Sequence, residues 1–164
     1  MRIRKARFDD VEEIYTLINE YAARRVMLPK SRVELYRALR DFFVAEDVRN
    51  ANDGHGKIVG CAALHPAWSD TAEIRSVAVR TDRGRRGVGS RLIRACLKDA
   101  ETLGLRRIFL LTYVPGFFAK FGFQVVGHDA LPQKVWTDCI HCPHYLNCNE
   151  TAMMLTLSVQ RATE

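Results

Sequence analysis

Long apolar runs are what this sequence of 164 residues most clearly lacks. A membrane-spanning helix needs about 18 consecutive apolar residues. The longest clear run is Ile108-Phe109-Leu110-Leu111, which is strand-sized. A disulfide framework is missing too, because Cys61, Cys96, Cys139, Cys142 and Cys148 are odd in number and the opening Met-Arg-Ile-Arg has no apolar core of a secretion signal. A cytoplasmic protein with reduced thiols is expected. Two phosphate-binding signatures are absent: there is no Gly-Lys-Ser/Thr of a P-loop and no Gly-x-Gly-x-x-Gly of a dinucleotide fold. The chain holds 48% hydrophobic and 27% charged residues, so residues 1–164 are expected to form a single globular domain. With 25 Lys+Arg against 19 Asp+Glu the net charge is +6, which points to anionic partners.

Hydrophobic spacing and turn residues lay out the elements. Arg2 to Arg7 reads as a strand, and Asp9-Asp10-Val11-Glu12 as a helix start. Val11, Ile14, Tyr15, Leu17, Ile18 and Tyr21 share one face of that helix. Ser31 with Glu34 repeats the capping pattern for a second helix to about Asp41. Strands follow at 42–46, 57–64 and 72–80, the first two joined through a turn in 50–56 and the last two by a loop over 66–70. Val88 to Leu103 has helical periodicity and ends at Gly104. A strand over 107–112, a short helix begun by Pro115, and strands at 123–126 and 152–159 complete the order. This predicts an α/β fold with a mixed central β-sheet flanked by helices.

Between the fourth strand and third helix lies Val77-Ala78-Val79-Arg80-Thr81-Asp82-Arg83-Gly84-Arg85-Arg86-Gly87-Val88-Gly89-Ser90-Arg91. Glycines let the backbone approach a ligand there, and the helix start offers unpaired N–H groups at its positive dipole end. Arg83, Arg85, Arg86, Arg91 and Arg94 add charge suited to a diphosphate. The plainer reading is a solvated basic helix start whose glycines serve only the turn.

At this loop the sequence resembles the GNAT N-acetyltransferases, whose acetyl-CoA signature is Gln/Arg-x-x-Gly-x-Gly/Ala. Gly84-Arg85-Arg86-Gly87-Val88-Gly89 fits that frame except that Gly84 stands at the first position. Glu73-Ile74-Arg75-Ser76-Val77-Ala78-Val79 resembles the strand along which pantetheine lies, and Phe117 to Phe123 resembles the family's Phe-Tyr-x-x-x-Gly-Phe. The resemblance implies a GNAT fold and acetyl-CoA as cosubstrate, bound by Val77, Ala78, Val79, Gly84, Arg85, Arg86, Gly87, Val88, Gly89, Ser90, Arg91 and Phe118.

A narrower resemblance runs through Leu28-Pro29-Lys30-Ser31, Val59 to Leu64, Ala72-Glu73-Ile74, Phe109 to Thr112 and Leu131-Pro132-Gln133-Lys134. These are similar to the acetyltransferase domain of N-acetylglutamate synthases of arginine biosynthesis. It implies an amino-acid acceptor, L-glutamate first, contacted by Lys30, Cys61, Thr112 and Lys134; Arg75 is a further cationic candidate. A dicarboxylate leaving water needs such anchors, because an unpaired buried carboxylate costs several kcal/mol. The plain alternative is that Lys30 and Lys134 are surface lysines. A synthase of this length would be a short, single-domain form. Glu73 is the expected general base, since the amine must lose a proton before it attacks; its competing role is to hold Arg75. A backbone N–H near Val77 would stabilise the developing oxyanion. Phe118 stands where the family has a tyrosine acid, and Tyr113 is the candidate substitute.

The segment Cys139-Ile140-His141-Cys142-Pro143-His144-Tyr145-Leu146-Asn147-Cys148 has enough donors for one zinc, crowded into ten residues. A metal site, a redox pair and an ordered loop with reduced thiols all stay open; catalysis requires no metal. No nucleic-acid or membrane partner is expected, and a homodimer is compatible with the sequence. Two other functions compete. One keeps the cofactor but acetylates another amino acid, an amine or a peptide N-terminus. The other is a basic nucleic-acid-binding module, disfavoured because aromatics are not interleaved with the arginines.

Overall fold

Strand β1 (Arg2–Lys5) opens the chain, and its Arg4 organises the residues around it. The guanidinium donates to Asp10 at 2.6 and 2.9 Å and to Glu46 at 3.0 and 3.2 Å. Glu46 also accepts the Gly56 N–H at 3.1 Å, so one buried carboxylate fixes both β1 and the start of β3. The helix start expected at Asp9-Asp10-Val11-Glu12 is therefore tied to β1 through Asp10. A single 3₁₀ turn (Phe8–Asp10) precedes α1 (Val11–Ala23); the Asp10 carboxylate accepts the Arg7 N–H at 2.7 Å, closing that turn, and makes no side-chain cap bond to α1. The Ser31–Glu34 capping box forms as expected: Glu34 accepts the Ser31 N–H at 2.7 Å, and Ser31 Oγ accepts the Glu34 N–H at 3.2 Å. Helix α2 (Arg32–Arg37) nevertheless stops short of Asp41, its continuation being a 3₁₀ turn over Leu39–Asp41.

Strands β2 (Phe42–Asp47), β3 (Lys57–Trp68) and β4 (Thr71–Val79) follow, then α3 (Val88–Thr102), β5 (Arg107–Thr112), α4 (Pro115–Ala119), β6 (Gln124–Val125) and β7 (Thr151–Thr156). The computed structural model describes residues 1–48, 56–83, 87–131 and 138–158. Strand order is β1-β2-β3-β4-β5-β7-β6; β4 and β5 run parallel, while β1–β2, β2–β3, β5–β7 and β6–β7 are antiparallel. The mixed sheet and the element order agree with the sequence reading. One loop does not: Pro66, expected outside a strand, lies within β3. The β2 ladder ends at Phe42↔Ala63, so β3 has already passed its last β2 partner when the missing proline N–H would be needed. The last strand ends at Thr156, before the expected Val159, which lies outside the described residues.

Two compact units divide the chain, residues 1–65 with 74–99 and residues 66–73 with 100–164. In the first, Val11, Ile14, Leu17 and Ile18 of α1 pack with Leu35, Leu39, Phe42, Val44, Ile58, Cys61 and Ala78. Burying each large aliphatic side chain contributes roughly 1.5–3 kcal/mol. Gly60 on β3 brings α3 down onto the sheet: a Cβ there would meet Val88 and Leu92 at 3.1 Å each. In the second unit Phe109, Leu131 and Ala152 form a smaller core with Ala67, Leu111, Val126 and Met154 packed against it.

Candidate active site

The parallel ladder between β4 and β5 consists of Thr71↔Arg107, Ala72↔Ile108 and Glu73↔Phe109. Glu73 is its last residue and is 5% exposed. Three residues on, Ser76 has φ 54°, a left-handed conformation inside a run of β-formers. A non-glycine residue held there stores about 1–3 kcal/mol, and such strain clusters at functional sites. Nothing in the sequence signals it. Ala78 points into the core, while Val77 and Val79 are half-buried. The carbonyl of Val79 accepts the Tyr21 hydroxyl at 2.5 Å, and the next amide, Arg80 N–H, donates to Val59 at 2.9 Å.

Beyond this strand Gly87 has φ 74°, and a Cβ there would touch nothing within 4 Å. Glycine is therefore required by conformation, not by space. Among the described residues the first bond of α3 runs from Arg91 N–H to Gly87 C=O at 3.1 Å, and the amides of Gly87, Val88, Gly89 and Ser90 come before it in the chain. Fifteen helical residues align their dipoles behind those amides. Arg91 is exposed and donates to the Met1 carbonyl at 3.2 Å. A cation beside a positive helix end is unfavourable unless an anion sits between them. Strand, left-handed glycine and open helix start thus fit a diphosphate. Gly84, Arg85 and Arg86 lie outside the described residues, as does Lys134.

Other candidates fall within one unit or the other. In the first, with the strand and helix start, are Lys30, Cys61 and Arg75. Lys30 stands just before α2, its ammonium 3.4 Å from Glu34 and its carbonyl accepting from Asn19 at 2.9 Å. Arg75 is half-buried on β4. The Cys61 side chain is fully buried, and burial pushes its thiol up to about 12, so it is a neutral thiol and no nucleophile at physiological pH. Only its backbone is left for contact with an acceptor. In the second unit are Glu73, Thr112 and Phe118. Thr112, buried at the end of β5, accepts the Val114 N–H at 3.0 Å and keeps its hydroxyl hydrogen to donate. Phe118 is 5% exposed and packs edge-on against Phe117 and Phe123, centroids 5.0 and 6.0 Å away. Tyr113 is half-exposed, and its phenol is pushed above the ordinary tyrosine value by burial, then by Glu150, Cys148 and Cys142.

The cysteine segment forms two 3₁₀ turns, Cys139–His141 and Tyr145–Asn147. Its three cysteines are half-exposed, and no cysteine of the chain is joined in a disulfide. Among the described residues no group of three or more His, Cys, Asp or Glu is placed to hold a metal ion. Sequence reasoning missed the Ser76 backbone, the Tyr21–Val79 bond, and a pair in which His65 Nδ1 lies 2.6 Å from Asp41. Tyr21 was legible only as part of the apolar face of α1.

Strand, left-handed Ser76 and helix start in this order define a class, and the comparisons agree with it. Residues 8–123 match the acetyltransferase (GNAT) family, and the chain belongs to that family. It is an N-acetyltransferase whose cosubstrate is acetyl-CoA. Among relatives, an amino-acid acetyltransferase of Mycobacterium tuberculosis is 43% identical over 136 residues, 83% of this chain and 75% of that one. A Mycobacterium tuberculosis structure solved in complex with CoA and a second ligand superposes with TM-score 0.79 and 34% identity over 96% of this chain and all of that one. N-acetylglutamate synthase of Neisseria gonorrhoeae, solved with coenzyme A and N-acetyl-glutamate, gives TM-score 0.82 at 29% identity; 96% of this chain is covered, but only 35% of that chain. No described helix is long and apolar enough to cross a membrane.

Proposed function

We propose that this chain acetylates the α-amino group of an amino acid, L-glutamate first, as in arginine biosynthesis. The observation that carries the reading is the 43% identity to an amino-acid acetyltransferase over 83% of the chain. Likeness to an N-acetylglutamate synthase solved with N-acetyl-glutamate supports the choice of acceptor. Acetyl-CoA supplies an activated acyl group, a thioester whose carbonyl is open to attack.

The amides of Val88, Gly89 and Ser90 hold the diphosphate, with Gly87 setting the helix start and Arg91 adding charge. Gly84, Arg85 and Arg86 complete that loop. The extended arm of the cosubstrate lies along Val77, Ala78 and Val79, and Phe118 has no hydroxyl with which to act as an acid. Glu73 takes the proton of the ammonium group, directly or through water. The N–H of Val77 stabilises the oxyanion formed at the thioester carbonyl, the peptide being already turned by Ser76. Lys30, Arg75, Thr112 and Lys134, with the backbone at Cys61, bind the acceptor's carboxylates. Transfer is direct, in a ternary complex.

Thiol release from acetyl-CoA, measured over a panel of amino acids, amines and a peptide N-terminus, tests this. Sustained turnover with glutamate well above the other acceptors is expected. Turnover with a different acceptor and none with glutamate would overturn the assignment of substrate while leaving the family intact.

A further inference from the structure

The end of β4 is held in an unusual way. Along a strand, successive peptides point to opposite edges, so the Val79 carbonyl and the Arg80 N–H of one trans peptide face opposite sides. The Arg80 N–H is bonded to Val59 of β3 at 2.9 Å. The Val79 carbonyl therefore faces the edge away from β3, beyond the β5 ladder of Thr71, Ala72 and Glu73. What meets that carbonyl is a side chain from α1, the Tyr21 hydroxyl, at 2.5 Å. Tyr21 is well fixed for the purpose. Its carbonyl accepts from Arg24 at 3.1 Å and Val26 at 3.4 Å, its ring packs against the core of the first unit, and the Arg24 guanidinium lies 5.8 Å from the ring centroid.

With its hydrogen committed to Val79, the phenol keeps oxygen lone pairs that can only accept. A ligand arm extended beside Val77 and Val79 would find donors in their amides and, at the next position along, an acceptor in Tyr21. The pantetheine arm of acetyl-CoA has two amide groups and is the chemistry such an edge suits. We propose that Tyr21 belongs to the acetyl-CoA site: it fixes the last peptide of β4 and accepts a hydrogen bond from a pantetheine amide. The inference rests on the cosubstrate running along β4, and not on which amine is acetylated.

Calorimetric binding of CoA, and of pantetheine, which lacks the diphosphate, to the wild type and to Tyr21→Phe tests it without any acceptor. Loss of one net hydrogen bond should weaken CoA binding about five- to tenfold, and pantetheine by the same factor. In steady state the KM for acetyl-CoA should rise while that for the acceptor stays within about twofold. Unchanged CoA affinity would overturn the proposal. So would weakening of CoA with no change for pantetheine, because the tyrosine would then act only through the diphosphate loop. A variant whose melting temperature falls while both affinities hold would assign Tyr21 to packing.

Discussion

The thiol of Cys61 on β3 donates to the carbonyl of Ser76 on β4 across 3.5 Å. In a trans peptide the C=O and N–H point opposite ways, so holding the Ser76 carbonyl aims the Val77 N–H away from β3. The bond is weak, but it acts on the one strained peptide of the strand. Cys61→Ala is expected to lower kcat about three- to tenfold with little change in either KM, and Cys61→Ser, which keeps a donor, to restore most of it. Steady-state kinetics of the two variants check this; equal losses would remove the hydrogen bond from the account.

Gly87→Val forces a β-branched residue to φ 74°. The left-handed conformation costs at least about 1–2 kcal/mol, so the helix start shifts instead. CoA binding is expected to weaken by at least about tenfold, read by calorimetry, with secondary structure by circular dichroism unchanged. Retained affinity would contradict the cradle.

Lys30→Ala removes a cation and its 3.4 Å contact with Glu34, while the two Ser31–Glu34 capping bonds do not involve the lysine side chain. Glutamate KM should rise about tenfold or more, while KM for acetyl-CoA moves less than about twofold. Equal effects on both would take Lys30 out of the acceptor site.

Arg4 holds the Glu46 carboxyl below the ordinary glutamate value, chiefly by its hydrogen bond, with the Gly56 N–H adding to it. Unfolded, the group titrates near about 4.3. Its contribution to stability is therefore complete above that pH and is lost as the pH falls through the lower folded value. Glu46→Gln should cost about 3 kcal/mol at neutral pH, and the deficit should shrink on acidification below about pH 4. Denaturant unfolding between neutral and acid pH measures both.

Thiol accessibility separates the cysteines into two sets. Cys61 and Cys96 are buried, with thiols pushed up to about 12, whereas Cys139, Cys142 and Cys148 are half-exposed. Titration with an aromatic disulfide at neutral pH is expected to label the three quickly and the buried two only after unfolding. Slow labelling of the three would point to a bound metal or a disulfide.

Local chemistry made much of this protein legible beforehand. Ser31 and Glu34 announce a helix start because their bonds close within four residues. Strand β5 and the end of α3 at Gly104 are equally local, one a compact apolar run and the other a left-handed residue that only glycine adopts easily. What the spacing left unseen at the first helix start is the role of Asp10, which binds Arg4, six residues earlier, with two bonds while accepting the Arg7 N–H. Pro66 misled because its tolerance depends on where a neighbouring strand stops.

The sequence by itself determined the element order, the glycine and arginine chemistry of the loop before α3, and the family. Those rest on spacings of a few residues, where covalent geometry and helix or strand period leave little freedom. Only tertiary structure decided that Ser76 turns left-handed, that Cys61 holds its carbonyl, and that Tyr21 reaches Val79. The two bonds join residues 15 and 58 positions apart. At that separation no local preference operates, and packing of the whole unit selects the partner.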